Sequence, residues 1–301
     1  MVTVKPAGFY FTLFGIFGAI LTGFLNWRLI YYILRNEKYR EKKEYQLFTF
    51  RFAIDCALAI IISIYFTGMC IFFQNSTSIQ YHPLFFVALL ASNINATRGL
   101  LAFCIAIERV IAVYFPIAFH NHRKTFSSYY VIILTILFGL FEDVVLYKFC
   151  DYTYVEKEEC SAFGCAVGSC FLKYWGVNKT IIAGSTFLLS ILLLCKLLVF
   201  KISSEHKTAD LTRANQLCLV DTVTVLVFDL SPYFFTLLYG DEVIHLDGYG
   251  PYNAVIKVIA CFVDAVIASI VIGKLAKPRV QQNERTTSFR PKIKNDANKN
   301  T

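Results

Sequence analysis

An adjacent acid and base, Glu108 and Arg109, close an apolar stretch that begins at Leu84 and is followed by Pro116. A carboxylate and a guanidinium can pair strongly, and at the end of a membrane-length run such a pair sits at the lipid–water boundary. Deeper in other apolar stretches lie Asp55, Arg98, Asp229, Lys257 and Asp264. A charge in that setting needs a partner or a cavity. Asp55 and Asp264 each lie about eight residues from one end of their runs, about 12 Å in at a rise of about 1.5 Å per residue. Arg98 is eleven residues from Arg109, about 16 Å further along, and its side chain can reach back. An Arg98–Asp55–Asp264 cluster is therefore within reach, with Asn26 as a further polar position. Such a cluster pins helices together, or exchanges ion pairs between two helix arrangements. Lys257 lies two turns from Asp264, and Glu142, Asp143 and Asp229 are its candidate counter-ions around a ligand cavity. Arg28, Arg51 and Lys196 fall close to helix ends, where long basic side chains snorkel.

Other chemistries find little support. All five histidines (His82, His120, His122, His206, His245) fall in connecting loops, and no His-Glu-x-x-His, Gly-x-Ser-x-Gly or phosphate-binding glycine loop occurs. No enzymatic activity and no cofactor are expected. Four cysteines, Cys150, Cys160, Cys165 and Cys170, crowd one loop at spacings of ten, five and five. That is not the paired Cys-x2-Cys of a structural zinc site, so disulfides are the better reading and no metal is assigned. Three pairings are open if they pair only with one another, and Cys70 could replace one partner. Asn75-Ser76-Thr77 and Asn178-Lys179-Thr180 match the glycosylation acceptor pattern.

These residues must be positioned by helices in a bilayer. The chain is 56% apolar and 17% charged over 301 residues, and the apolar residues come in blocks. A span needs about 20 of them, because the hydrocarbon core is about 30 Å thick. Seven blocks qualify: 9–34, 47–73, 84–114, 129–147, 180–200, 217–239 and 252–272. Each must be a helix, since lipid offers backbone groups no partner. The first block lacks a small-residue cleavage site and reads as a retained span. The organisation expected is an all-α, seven-transmembrane bundle over residues 9–272, with an extracellular head (1–8) and a cytoplasmic tail (273–301). The tail is polar, basic and expected to be disordered.

Eighteen Lys and Arg fall in one alternating set of loops plus the tail, and five in the other set. That bias puts the N-terminus outside and the tail in the cytosol. Asn75 and Asn178 then both fall on the outer side. The net charge of +8 belongs to the cytosolic face, where the bilayer surface accounts for it without nucleic acid. Pro232, inside the sixth block, should kink that helix.

Glu108-Arg109-Val110 with Pro116 seven residues after the arginine resembles the Asp/Glu-Arg-Tyr motif of rhodopsin-like G-protein-coupled receptors. Asn26, Asp55 and Pro232 look like that superfamily's landmarks in the same spans. The run from Ala96 to Arg123, ATRGLLAFCIAIERVIAVYFPIAFHNHR, is similar to the nematode serpentine chemoreceptors, class BC (Srbc-like), as are Arg51-Phe-Ala-Ile-Asp55 and the cysteine-rich loop. The resemblance covers nearly the whole chain.

It implies a chemosensory (olfactory) receptor in the plasma membrane, in sensory neuron cilia, that binds a small molecule and couples to a heterotrimeric G protein. A receptor oligomer is a further partner left open. Glu108 and Arg109 would be the activation switch, with Pro116, Arg123 and Lys124 at the coupling surface. Arg98 stands where many relatives keep a small polar residue beside a sodium ion, which implies that its guanidinium replaces that ion against Asp55. Two departures stand out. The superfamily's cysteine at the outer end of the third span would fall near Leu84, and the seventh span lacks the Asn-Pro-x-x-Tyr proline and tyrosine. A membrane transporter or channel is the alternative, and an intramembrane enzyme a more distant one. Against the transporter, there is no internal repeat and no matching pair of broken spans.

Overall fold

The computed structural model describes residues 6–40, 43–74, 82–125, 127–153, 163–203, 209–230 and 252–273. They are helical almost throughout, as a chain must be where its backbone has no water to bond. Helix α1 is Pro6–Arg35, α2 the short Glu37–Arg40, α3 Lys43–Gln74 and α4 His82–Tyr114. Helix α5 (Pro116–Thr125) restarts after a break at Phe115, with Pro116 at a first-turn position where its missing N–H costs nothing. Ser127 caps α6 (Ser128–Val144) by accepting from the Tyr129 backbone N–H. That helix widens into a π-turn at Val145–Phe149. After the short α7 (Phe163–Ala166), α8 runs over Ser169–Ser203. Helix α9 (Ala209–Thr224) also ends in a π-turn, Val225–Leu230, and α10 is Tyr252–Gly273.

Among the described residues, five segments are long and apolar enough to cross a membrane by length and composition: Gly8–Arg35, Tyr45–Ile71, Ser128–Phe149, Ser169–Leu198 and Ala254–Ile272. Asn215–Phe228 in α9 is apolar but shorter. Helix α4 is 33 residues long and carries Ser92, Asn93, Asn95, Thr97 and Arg98 in its middle. Those polar groups are kept from lipid because α4 is the central helix, packed on α3, α6, α8 and α9. The sixth expected span is seen only up to residue 230, so Pro232 lies outside the described residues. The fifth begins eleven residues earlier than expected, at Ser169 rather than at residue 180.

Unlike that of a protein in water, the surface is apolar as well as the interior. Phe14, Phe17, Phe24 and Trp27 on α1, Leu134 and Leu137 on α6, and Ile181 and Leu188 on α8 are all exposed. Buried apolar residues form two clusters. One gathers Leu58, Phe66 and Met69 of α3, Phe85 of α4, Leu146, Phe171, and Val255 and Val258 of α10. The other gathers Phe48 and Phe52 of α3, Leu101 and Ile105 of α4, Leu193 of α8, Leu217 of α9, and Ala268 and Ile272 of α10. Asp55 on α3, Arg98 on α4 and Asp264 on α10 fall between the two clusters in sequence, with Arg51 one turn into the second. The bundle is thus two apolar layers with a charged belt between them.

Candidate functional site

The belt is a closed ring of alternating charge. Arg98 of α4 donates from Nε to Asp55 Oδ1 at 2.7 Å and from Nη2 to Asp264 Oδ2 at 2.7 Å. Arg51, one turn before Asp55 on α3, donates from Nε to Asp55 Oδ2 at 3.3 Å and from Nη2 to Asp264 Oδ2 at 3.4 Å. Its Nη1 also reaches the backbone carbonyl of Arg98 at 3.3 Å. Two guanidiniums and two carboxylates cancel, which is how four charges can share a buried site.

The expected Arg98–Asp55–Asp264 cluster forms, and Arg51 is a correction. It does not snorkel to a helix end. It is 4% exposed because its own helix puts it on the Asp55 face, four residues away, where three helices meet. Asn26 is buried on α1 but bonds its own helix, donating to the Thr22 carbonyl at 3.0 Å.

At the far end of α4, Arg109 is 1% exposed and paired with Glu108 through Nη2. Its Nε and Nη1 have no hydrogen-bond partner among the described residues. Leaving donors of a buried cation unmade costs more than the ordinary 1–3 kcal/mol of a neutral group. Pro116 and the backbone of Arg123 and Lys124 lie in α5, the latter two with side chains outside the described residues.

A second polar centre lies between α4, α6 and α8. Glu142 is 0% exposed and its Oε2 accepts from Ser92 Oγ at 2.8 Å. Ser92 in turn accepts from Trp175 Nε1 at 3.0 Å. The Lys179 ammonium lies over the Trp175 ring, 4.3 Å from its centroid, and its charge acts on Glu142. Next to it Asn93 Nδ2 donates to Asp143 Oδ1 at 2.9 Å. The helices approach closely here because residue 139 is glycine: a Cβ there would meet Thr97 Oγ1 and, at 2.6 Å, the Asn93 carbonyl. Glu142, Asn95, Gly99, Asn178, Lys179 and Thr186 help line a small cavity of about 40 Å³.

Of the expected ligand contacts, Glu142 lines this cavity and Asp143 is bound to α4. Lys257 of α10 is not among the lining residues, so the cation at this centre is Lys179. The side chain of Asp229 lies outside the described residues. Asn178 sits inside α8, half-exposed, and is among the residues lining the cavity. Asn75 is outside the described residues. Ser92, Trp175 and Lys179 were missed by sequence reasoning. The polar run Ser92-Asn93-x-Asn95-x-Thr97-Arg98 was the available signal for the first.

Cys150 and Cys170 form a disulfide with Cα atoms 5.8 Å apart, joining the end of α6 to the start of α8. Cys70 is a free thiol, Cys160 lies outside the described residues, and so does the Cys165 side chain. Around the bridge Phe85 stacks on Tyr152 at 5.4 Å and meets Phe163 at 5.7 Å, while Phe163 meets Phe171 edge-on. The Tyr152 hydroxyl donates to the Ala166 carbonyl at 2.9 Å.

No curated protein matches the chain. A family model described as serpentine type 7TM GPCR chemoreceptor Srbc matches residues 4–275.

Proposed function

The chain belongs to the Srbc family of serpentine seven-transmembrane chemoreceptors, and from that premise we propose that it senses a small molecule at the cell surface and signals through a heterotrimeric G protein. It is then a multi-pass plasma-membrane receptor of rhodopsin-like arrangement, N-terminus outside, in the cilia of sensory neurons. Binding favours an arrangement in which the α8 and α9 ends near Ser203 and Ala209 move apart.

The observation supporting this reading is Arg109. It is buried, held by its neighbour Glu108, and has two guanidinium nitrogens without acceptors among the described residues. A buried cation with unmade donors gains when an opening supplies acceptors, whether water or a partner's backbone carbonyls. The Glu108–Arg109 pair is then the resting position of a switch that faces the G protein once released. The charged ring of Arg51, Asp55, Arg98 and Asp264 ties α3, α4 and α10 together, so it relays a displacement from one layer of the bundle to the other.

The test is expression with a calcium reporter and a panel of volatile and soluble compounds. An Arg109→Ala variant that reaches the surface is expected to lose compound-evoked responses. Full responses from that variant would overturn the reading, and compound uptake without any G protein would point to a transporter.

A further inference from the structure

We propose that the cleft between α6 and α8 binds a small, neutral amphiphile from the side of the bundle, with a hydroxyl-type head on Glu142 and an apolar tail toward lipid. The first ground is an acceptor without a donor. Glu142 is fully buried, its Oε2 is taken by Ser92, and its Oε1 has no partner among the described residues. Glu142 lines the cavity, where space and an unmet acceptor coincide. Buried polar atoms are nearly always paired, so this one calls for an occupant that donates.

The second ground is charge. The Lys179 ammonium already acts on Glu142. A cationic head would meet that ammonium, and an anionic one would meet the carboxylate. A neutral hydroxyl satisfies Oε1 without adding a charge to a dry site. The third ground is size. About 40 Å³ holds a few waters or a polar head, not a whole drug-sized ligand. The rest of the molecule must lie outside.

The fourth ground is access. Among the described residues, the Cys150–Cys170 end of the bundle is filled by Phe85, Tyr152, Phe163 and Phe171. Helices α6 and α8, by contrast, each pack along α4 and make little contact with one another. At the level of Glu142 and Lys179 their outer surfaces are exposed and apolar, with Leu140, Phe141 and Val144 on one and Val177 and Ile181 on the other. A tail finds its complement there and its supply in the bilayer. Occupancy stands on these grounds alone, and only its effect on signalling rests on the receptor reading.

The experiment uses the full chain in lipid nanodiscs and a medium-chain aliphatic alcohol carrying a mid-chain diazirine, with the matching hydrocarbon probe as control. The alcohol is expected to label segments 140–144 and 177–181, where its tail lies, above all others, and 1-octanol but not octane should displace it. Glu142→Gln should weaken displacement about tenfold, the worth of one buried hydrogen bond. Gly99→Leu should abolish labelling by filling the space. A Cβ there meets only Ile182, at 3.8 Å, so the first carbon of the new side chain fits without moving the backbone. Unchanged labelling of the lipid-facing surface of α1 reports that each variant is folded. Labelling spread evenly over lipid-facing helices, or equal for both probes, or centred on Phe85 and Tyr152, overturns the proposal. Labelling of the site with a silent G-protein reporter keeps the site and counts against the receptor reading. Evoked signalling that survives Gly99→Leu, with no label on these segments, does the reverse.

Discussion

The bundle holds two buried polar centres made of similar parts, one closed on itself and the other bordering open space. In the ring, each carboxylate is engaged by both guanidiniums, and the four charges sum to zero within the belt between the two apolar layers. Around Glu142, one carboxylate oxygen is bonded, the other has no partner among the described residues, and a cavity adjoins the side chain. The ring joins α3, α4 and α10, each of which carries apolar residues on both sides of its charge. The Glu142 centre joins α4, α6 and α8 beside two helix ends that relax into π-turns, at Val145–Phe149 and Val225–Leu230. Such turns add a residue to a helical repeat and recur at functional sites. The difference teaches that charge alone does not mark a binding site. A closed ring sets the register of helices, whereas an unmet acceptor beside open space can respond to a molecule.

The sharpest way to break that contrast is to open the ring. Arg98→Ala leaves Asp55 and Asp264 facing each other with Arg51 alone between them. Removing one partner of a buried ion pair costs about 3–5 kcal/mol. A large fall in the thermal midpoint of the purified protein is expected, with poor surface delivery. Asp264→Asn combined with Arg51→Met removes one charge of each sign. It should be less damaging than the two single changes added together, by about 1–3 kcal/mol of coupling. Strict additivity of the pair would show that the ring is not a unit.

Next in size is a change that damages the Glu142 centre and spares the ring. A methyl at position 139 would strike Thr97 Oγ1 and the Asn93 carbonyl, and the carbonyl belongs to a helix backbone that cannot rotate away. Gly139→Ala must therefore push α6 off α4. Overpacking of this kind costs about 1–3 kcal/mol. The expected signature is a moderate loss of thermal stability, together with faster hydrogen exchange around 139–149 and unchanged exchange around Arg51 and Asp264. Equal loosening at both centres would mean that they are one cooperative core.

The sequence carried the helices and the ring further than the second centre, for physical reasons. Apolar blocks of membrane length leave a helix as the only outcome, so most boundaries fell within a few residues of those expected. The start of α8 did not. Ser169 to Asn178 is polar and aromatic, and its helicity comes from packing of Phe171, Tyr174 and Trp175 against the cluster around Phe85. Read as loop, that stretch gives no sign that Lys179 faces Trp175 and the cavity. Asp55, Arg98 and Asp264 were legible because lone charges in apolar runs demand partners. Depth along the helix alone makes Arg51 look like a snorkelling residue, but four residues from Asp55 it shares that buried face. The Cys150–Cys170 pairing was one of several the spacing allowed, and only the meeting of α6 and α8 at their ends selects it.

The smallest expected effect is also the finest test of the contrast. Trp175→Phe removes the Nε1 donor to Ser92 while leaving the Ser92–Glu142 bond in place. A neutral hydrogen bond is worth about 0.5–1.5 kcal/mol. A phenyl ring keeps most of the apolar contact and gives the Lys179 ammonium a weaker π face, since Trp is the best partner for a cation. A stability loss of about 1 kcal/mol is therefore expected, read as a shift of a few degrees in the thermal midpoint. If the second centre is adjustable, Ser92 can turn its hydroxyl wholly to Glu142 and the cavity can admit a water where the indole N–H was. The small loss follows from that freedom. A loss as large as that of Arg98→Ala would mean that Trp175 and Ser92 are as rigidly committed as the ring. The Glu142 centre would then be a second structural lock, with no slack left for a ligand to use.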